Sequence, residues 1–361
     1  MKIFNSVILL GAFVNYISAA PTSCTITGSS LSNISNVKKS CTNIIIENLN
    51  VPAGQTLDLT GLKKNTFVTF KGKTTFGYKE WEGPLISVSG TNVHIQGAKG
   101  NLIDCQGERW WDGKGGNGGK DKPKFFKMNK LIDSTIKNLN IRNTPVHAFS
   151  VNGAKKVQIS SINLNNKDGD TKGGHNTDAF DVGSSDDVTI SDSTIYNQDD
   201  CLAVNSGTNI KFLRNYCSGG HGISIGSVGG RSNNVVNGVL VDGCSIVDSD
   251  NGIRIKTVYK ATGSVENITY QHITLKNIQK NGIVIQGDYE NGSPTGTPTG
   301  GVPIKSLTID DVKGNVASKG TNTYILVQNA SNWKWSNINV TGGTKKKSCT
   351  GIPANSGAFC S

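Results

Sequence analysis

The chain has 361 residues, of which 35% are hydrophobic and 17% are charged, and its formal net charge is +11. This length suffices for one large domain or two ordinary ones. The basic excess favours solubility or attraction to a polyanion, and because no aromatic RNA-reading motif occurs, the composition argues against nucleic acid as the partner.

The first residues have the layout of a secretory signal peptide. Lys2 precedes an apolar run over residues 7–14, and small residues follow at 18–20, which predicts cleavage after Ala19. This run is too short to span a membrane, and no later run approaches the necessary length. We therefore predict a secreted, soluble protein that lacks residues 1–19. Its 36 basic and 26 acidic residues fit an acidic polysaccharide outside the cell as the partner.

Residues 30–37 have the pattern of a short amphipathic helix. Leu31, Ile34 and Val37 recur at helical spacing, and serines stand ahead of them as caps. Because the end of a solenoid needs a cover, we expect this helix to close the first turn of the fold.

From about Thr91 the chain repeats one short unit: a strand rich in Val, Ile or Leu, a polar turn, and another strand. The spacing of roughly 20 to 30 residues is typical of a solenoid. Alternation such as Val188 with Ile190, or Ile210 with Phe212, points alternate side chains inward, as strands require.

The repeats favour an all-β, right-handed parallel β-helix. The 44 glycines and the lack of a sustained 3.6-residue period argue against a helical solenoid. Two-residue turns between equal strands are few, which argues against hairpins. An Ig-like sandwich or barrel is the alternative, but it fits one continuous pattern badly. Because no linker or composition break divides the chain, residues 20–361 are predicted to form one domain.

Eight cysteines suit an oxidising compartment. Sequence alone does not determine their pairing, but the short spacings suggest the disulfides Cys24–Cys41, Cys201–Cys217 and Cys349–Cys360, the last as part of a C-terminal cap. In a solenoid, Cys105 and Cys244 would lie several turns apart, beyond disulfide reach, so we expect two buried free thiols. The cysteines are too scattered to bind zinc.

Five Asn-x-Ser/Thr sequons permit glycosylation in a secreted protein without demonstrating it. They are Asn33, Asn267, Asn291, Asn329 and Asn339.

Carboxylates recur at the spacing of one turn. Asp200 follows Asp178 by 22 residues, and His221 follows Asp200 by 21. Stacked on neighbouring turns about 4.8 Å apart, the carboxylates would repel each other, which raises at least one pKa and keeps a proton available. Hydrolysis of a glycosidic bond needs such a pair, one protonated acid and one carboxylate. Each carboxylate taken alone is more typical of a solvated turn.

Two cations follow on one strand. Arg254 and Lys256 alternate with Ile255, so both should point outward while the isoleucine enters the core. A solvated charged strand is the plain interpretation, but beside a carboxylate cluster the pair would bind the acid groups of an anionic sugar.

Together these residues resemble the four signature motifs of the polygalacturonases, which are family 28 glycoside hydrolases. The motifs are Asn176-Thr177-Asp178, Asp199-Asp200, Gly220-His221-Gly222 and Arg254-Ile255-Lys256. The resemblance covers essentially the whole mature chain, with further matches at 109–113, 122–126 and 251–253. Four ordered motifs at matching spacing are far more specific than any one of them.

The resemblance implies a right-handed parallel β-helix that hydrolyses α-1,4-linked galacturonan, the backbone of pectin, with inversion and without a metal or cofactor. It makes Asp199 the general acid and His221 the residue that supports its protonation. Asp178 and Asp200 become the bases that activate water.

The resemblance also implies the residues that bind substrate. Arg254 and Lys256 would bind the galacturonate carboxylate, Tyr289 in Gly-Asp-Tyr would contact the sugar, and Asn176 would line the cleft.

The compact chain, without an added domain or long insertion that could close a cleft, favours endo over exo action. A hydrolase for a related pectin backbone is a further alternative. A calcium-dependent pectate lyase is disfavoured by the hydrolase-type motifs, and a non-catalytic pectin-binding relative by the complete set of carboxylates. A capped solenoid is expected to be a monomer, with neither a membrane nor nucleic acid as partner.

Overall fold

The chain forms a ladder of short strands. The computed structural model describes residues 23–291 and 293–361, so the predicted signal peptide over residues 1–19 lies outside the described residues. The first strands are β1 Ser23–Gly28, β2 Asn43–Val51, β3 Leu57–Leu59, β4 Phe67–Lys71, β5 Lys73–Phe76, β6 Ile86–Thr91, β7 His94–Gly97, β8 Leu102–Asp104, β9 Phe126–Lys137 and β10 Asn140–Arg142. The middle strands are β11 Phe149–Asn152, β12 Lys155–Ser160, β13 Asn163–Asn165, β14 Phe180–Gly183, β15 Ser185–Ser191, β16 Thr194–Tyr196, β17 Leu202–Val204, β18 Gly207–Leu213, β19 Tyr216–Ser218 and β20 Ile223–Val228. The last are β21 Val235–Asp242, β22 Ser245–Val247, β23 Asn251–Val258, β24 Ser264–Ile278, β25 Asn281–Tyr289, β26 Ile304–Val316, β27 Thr321–Leu326, β28 Ala330–Ser331 and β29 Lys334–Thr341.

Helices are short: α1 Ile34–Ser40, α2 Gly169–Lys172 and a 3₁₀ turn at Gly107–Arg109. The strand pairings of the described residues are parallel, and each strand pairs with its counterpart one coil further along the chain. The fold is therefore the right-handed parallel β-helix that the sequence predicts.

Three faces run the length of the solenoid. The face that concerns the site consists of β3, β6, the start of β9, β11, β14, β17, β20, β23, β25 and β27. We call it the site face. Because each strand begins after a turn at the same corner of the coil, side chains from successive turns lie above one another along this corner.

Apolar side chains fill the inside of the coils. Val188 and Ile190 in β15 are fully buried, as their alternation predicts. Under the site face, the rings of Phe149 and Phe180 stack at 5.2 Å with an angle of 15°. Full burial of such a side chain stabilises the fold by about 1.5–3 kcal/mol, so the ladder beneath the site is rigid.

The N-terminal helix starts later than predicted. α1 spans Ile34–Ser40 rather than residues 30–37, and Asn33 is its N-cap residue without a side-chain hydrogen bond. The predicted serine caps bond each other instead, with Ser30 Oγ 2.9 Å from Ser32 Oγ, so this segment forms a turn. Val37 is buried, as expected for a helix that packs on the first coil.

Three disulfides are present, Cys24–Cys41, Cys201–Cys217 and Cys349–Cys360, the pairs that the short spacings suggest. Cys105 and Cys244 are buried free thiols. At the C-terminus, Trp335 N–H donates to the Ser356 carbonyl at 2.8 Å, which attaches the last segment to β29. Across the described residues, no helix is both long enough and apolar enough to cross a membrane. All five sequon asparagines are exposed.

Candidate active site

Three successive turns at one corner of the solenoid carry the predicted acidic residues and the histidine. Asp178 precedes β14, Asp199 and Asp200 precede β17, and His221 precedes β20. Ala179 N–H donates to the Asp200 carbonyl at 2.9 Å, and His221 N–H donates to the Asp199 carbonyl at 2.8 Å. The turns are therefore on adjacent coils, as the spacings of 22 and 21 residues predict.

A buried asparagine and two glycines shape these turns. The Asn197 amide is fully buried and donates to the carbonyl oxygens of Thr177, Asp199 and Asp200 at 2.9–3.1 Å. A Cβ at Gly220 would overlap the Asp199 carbonyl, and one at Gly222 would overlap backbone oxygens of the next coil. Glycines on both sides of the histidine thus let the coils approach closely enough for the imidazole to reach the carboxylates.

Asp199 accepts hydrogen bonds on both oxygens. Its Oδ1 accepts from Asp200 N–H at 2.7 Å and lies 3.0 Å from His221 Nδ1. Its Oδ2 accepts from Asn176 Nδ2 at 2.9 Å. The other imidazole nitrogen, His221 Nε2, lies 3.4 Å from Asp250 Oδ2. The imidazole therefore bridges two carboxylates, and Asp199 is held in one orientation.

Asp200 is the most enclosed carboxylate of the three, with 1% of its side chain exposed. Lys256 Nζ lies 2.6 Å from its Oδ2, and Ser224 Oγ donates to its Oδ1 at 2.7 Å. Arg254 Nη1 is more distant, at 3.8 Å. Lys256 is thus the counter-ion of Asp200, in addition to its predicted contact with substrate.

Asp178 has a different environment. Among the described residues, no side chain donates a hydrogen bond to its carboxyl group. His147 Nε2 lies 3.8 Å away, and His147 Nδ1 lies 3.0 Å from Asp181 Oδ2, an ion-pair distance outside hydrogen-bond geometry. A second imidazole therefore faces the cluster from the coil before Asp178.

These surroundings move the pKa values apart. Burial raises the pKa of Asp178 well above its ordinary value, and the charges of Asp199, Asp181 and Asp200 raise it further. Burial also opposes ionisation of Asp199, but the hydrogen bond and charge of His221 outweigh burial and lower the Asp199 pKa. The close-carboxylate argument from the sequence holds, yet the raised pKa in the free site is that of Asp178.

The histidines respond in the opposite direction to burial. Desolvation lowers the pKa of His221, but its bond to Asp199 and the nearby negative charges outweigh this and raise the pKa. For His147, burial again lowers the pKa and the Asp181 charge raises it more. The Asp199–His221 pair therefore holds one proton that either partner can carry.

The cations and an aromatic ring complete the site. The Arg254 guanidinium carbon lies 5.9 Å from the Tyr289 ring centroid, and Lys256 Nζ lies 5.3 Å from it. Ile255 between them is fully buried, as the alternation predicts. A cavity of about 300 Å³ brings together most of the predicted site residues: Asn176, Asp199, His221, Arg254, Lys256 and Tyr289. Of the three carboxyl groups, Asp199 is the one that lines this cavity.

A larger cavity of about 720 Å³ adjoins the first and shares Asn117 and Asn176 with it. Its lining is basic, and Lys124 and Lys127 lie on its floor-side strand and the turn before it. The two cavities form one cleft along the site face, long enough for several units of a polyanionic chain and open at both ends of the catalytic cluster.

Several functional contacts were not apparent from the sequence. Ser224 is one coil from Asp200, and Asp250 and His147 are each distant from the motif residues in sequence. Only the coil register could have placed them, since isolated Ser, Asp and His residues carry no motif.

One triplet has metal-like geometry. Ligand atoms of Asp199, Asp200 and His221 lie within 4.8 Å of one another. The Lys256 ammonium group is already bound to Asp200, and Arg254 adds a second positive charge. This donor set is therefore arranged for proton transfer near two cations.

A parallel β-helix whose long cleft holds a carboxylate cluster, an imidazole and two carboxylate-binding cations is a polysaccharide-cleaving enzyme. Hydrolysis rather than elimination follows from the three carboxyl groups, one with a raised pKa and one in a proton-holding pair.

Comparison with known proteins agrees. The family model described as "Glycosyl hydrolases family 28" matches residues 41–360, so the chain belongs to this family of glycoside hydrolases. It is 59% identical over 359 residues to Endopolygalacturonase 1 of Colletotrichum lindemuthianum, which covers 98% of each chain. It is 60% identical over 341 residues to a polygalacturonase of Penicillium griseoroseum, covering 94% of this chain and 90% of the relative.

Solved structures show the same architecture. Endopolygalacturonase I from Stereum purpureum, in complex with two galacturonates, superposes with a TM-score of 0.79 at 34% identity, over 88% of this chain and 95% of that one. Endo-xylogalacturonan hydrolase from Aspergillus tubingensis shares the fold, with a TM-score of 0.78 at 24% identity over 94% of this chain and 99% of that one.

Proposed function

We propose that the chain is a secreted, single-domain endo-polygalacturonase that acts as a monomer and hydrolyses the α-1,4-galacturonan of pectin with inversion. The observation that carries this proposal is the carboxylate cluster beside Arg254, Lys256 and Tyr289 in an open cleft. Names of the similar proteins support it, since they include endopolygalacturonases and a galacturonate complex.

In this proposal Asp199 protonates the leaving glycosidic oxygen. It lines the cavity, and its Oδ2 is free of the His221 and Asp200 contacts that occupy Oδ1. In the free site the shared proton resides on His221. A substrate carboxylate bound by Lys256 weakens the field that lowers the Asp199 pKa, which moves the proton toward Asp199.

Asp178 and Asp200 take the role of activating water. Asp200 is kept ionised by Lys256 at 2.6 Å, whereas Asp178 lies nearby with no hydrogen-bond donor among the described side chains. Once water attacks, the pair accepts its proton, and Asp178 is the carboxyl group whose surroundings favour holding it.

Digestion of demethylated polygalacturonic acid with a chelator present tests the proposal, with Asp199→Asn as the matched control. We expect the parent to release a spread of saturated oligomers at early times, and Asp199→Asn to bind the polymer but lose at least about 1000-fold in kcat, as removal of a general acid does.

Other products would point elsewhere. Galacturonic acid alone would indicate exo action, and unsaturated products abolished by chelator would indicate a lyase. A folded protein that leaves polygalacturonic acid intact would redirect the search to a related pectin backbone, such as xylogalacturonan. Substantial turnover by Asp199→Asn would overturn the acid assignment alone.

A further inference from the structure

The orientation of one amide decides which atom faces the candidate acid. Asn176 Nδ2 donates to Asp199 Oδ2 at 2.9 Å. Were this amide turned by 180°, its carbonyl oxygen would face Oδ2 and accept the proton of the protonated carboxyl group. That proton would then point at Asn176 instead of the glycosidic oxygen.

A loop on the far side of Asn176 selects the orientation seen. Residues 113–120, here called the cover loop, approach from the coil that precedes the site. Gly116 N–H and Asn117 Nδ2 both donate to Asn176 Oδ1 at 3.1 Å. A turned amide would instead oppose its own NH₂ group to these two donors. The loop therefore reads the amide orientation from outside the catalytic cluster.

The cover loop has a built-in anchor. Lys122, with 2% of its side chain exposed, pairs with Asp112 at 2.9 Å and also donates to the carbonyl of Lys120. The Asp112 carboxylate in turn accepts from the backbone N–H groups of Lys114 and Lys120. Burial opposes its ionisation, but these bonds outweigh burial and lower the pKa of Asp112 to about 2. Both ends of the loop are thus bound to one buried ion pair.

Close packing shows that the contact is built rather than incidental. Gly115 has φ of +57°, and a Cβ there would overlap the Asn176 side-chain oxygen. Gly113 N–H donates to the Gly173 carbonyl at 2.9 Å, which joins the loop to the segment that leads into Asn176.

We infer that Asn117 is a positioning residue for catalysis: with the cover loop, it fixes the Asn176 amide so that the proton of Asp199 is directed into the cleft. This inference rests on the proposed role of Asp199 as general acid. Asn117 itself acts through Asn176 and not on the reacting atoms.

Two variants of Asn117 and one matched control test the inference. Asn117→Ala removes one of the two donors and lets the amide turn, and Asn117→Asp replaces that donor by an acceptor that attracts the NH₂ group. Asn152→Asp places the same new charge in the same cleft, at a side chain that makes no hydrogen bond to Asn176. Steady-state kinetics on polygalacturonic acid are measured for all three and for Asp199→Asn.

We expect kcat to fall about 3- to 10-fold in Asn117→Ala, the effect of one lost hydrogen bond, and at least about 30-fold in Asn117→Asp. Asn152→Asp should raise KM through charge repulsion as Asn117→Asp does, with kcat changed by less than about 2-fold. Equal kcat values for Asn117→Asp and Asn152→Asp would overturn the inference, as would an effect of Asn117→Ala on KM alone.

The pH profile separates positioning from a general loss of structure. A turned amide accepts a hydrogen bond from protonated Asp199, so the alkaline limb of kcat/KM should move to higher pH in Asn117→Ala while kcat falls. The groups that face Asp199 are unchanged in this variant: His221, Asp178, Asp200, Lys256 and, beyond the imidazole, Asp250. An unmoved limb would also overturn the inference.

These outcomes differ from failure of the proposed function. If Asp199→Asn retained turnover, the acid assignment itself would be wrong. If Asp199→Asn were inactive and both Asn117 variants had normal kcat values, only the role of the cover loop would be rejected.

Discussion

Asp178, Asp199 and Asp200 have the same side chain but three different sets of hydrogen-bond donors. Asp200 has an ammonium group and a hydroxyl, Asp199 has an imidazole and two amide groups, and Asp178 has none among the described side chains. Donors favour the ionised form, and burial without donors favours the protonated form. Different roles for identical residues therefore follow from their neighbours.

Asp178→Asn should stabilise the protein while abolishing its activity. The folded pKa of Asp178 is raised above the unfolded value, so the native state binds more protons than the unfolded state once pH exceeds about 4, and its stability falls as pH rises. The amide removes this cost. Urea unfolding at pH 7 should show a gain on the order of 1 kcal/mol or more in the free energy of unfolding, with little gain at pH 4.

Asp186→Asn provides the comparison of opposite sign. Hydrogen bonds from Thr208 and Asn209 lower the pKa of Asp186, so its contribution to stability is present above the unfolded pKa and lost as pH falls. Asp186 is also distant from the cleft in the chain register. We expect normal activity and no gain at pH 7. A loss of stability at pH 7 in Asp178→Asn would contradict the assignment of a costly buried carboxylate.

Arg254 and Lys256 should differ when each is changed to Ala. Arg254 is 3.8 Å from Asp200 and 16% exposed, so its removal mainly costs substrate binding, with KM raised about 10- to 100-fold. Lys256 is the counter-ion of Asp200 at 2.6 Å, so its removal should lower kcat as well. Steady-state kinetics distinguish the two, and an unchanged KM in Arg254→Ala would refute its substrate contact.

At the scale of single residues, the four motifs placed the site residues correctly in one cleft, because each motif begins at the same corner of its coil. Their surroundings were not predictable in the same way. Which carboxyl group has the raised pKa depends on His221, Ser224 and Lys256 contacts that need atomic positions.

At the scale of elements, the length of each coil decides which residues meet. From Phe180 to Leu202 the register advances by 22 residues, but from Phe149 to Phe180 it advances by 31. The longer coil contains α2 and the loop around it. A search at the 22-residue spacing therefore passes over His147, although the imidazole lies beside Asp178 and Asp181.

The Cys201–Cys217 disulfide should support the catalytic turn as well as the fold. Cys201 directly follows Asp200, and the bond joins residues 16 apart. Replacing both cysteines by Ala should cost about 3 kcal/mol of unfolding free energy in the chain-entropy account and lower kcat, because the turn before β17 loses its covalent anchor. Urea unfolding and steady-state kinetics measure both effects.

The Cys349–Cys360 pair is the matched control. It joins residues 11 apart at the C-terminal end, away from the cleft. Its removal should also reduce stability but leave kcat unchanged. Equal losses of kcat in the two double variants would show that the disulfides act on overall stability and not on the turn.

At the scale of the whole molecule, the fold was predictable because inward alternation, polar turns and a steady repeat all agree on one architecture. The start of α1 was not, because hydroxyl groups of Ser30 and Ser32 bond each other rather than cap a helix. The cover loop also escaped prediction: its glycines read as a flexible linker, and only the Asp112–Lys122 ion pair gives it a fixed shape.

The net positive charge of the molecule should appear in the kinetics as a dependence on ionic strength. The chain carries a formal charge of +11, and Lys124 and Lys127 extend the positive cleft well beyond Arg254. Salt screens such attraction within about 10 Å at 0.1 M. Raising NaCl from about 20 to about 300 mM should therefore lower kcat/KM on polygalacturonic acid several-fold, through KM and with kcat nearly constant. Trigalacturonate spans fewer of these lysines and should show a weaker dependence. Equal salt dependence for polymer and trimer would place the whole effect at Arg254 and Lys256 and remove the distal lysines from substrate recognition.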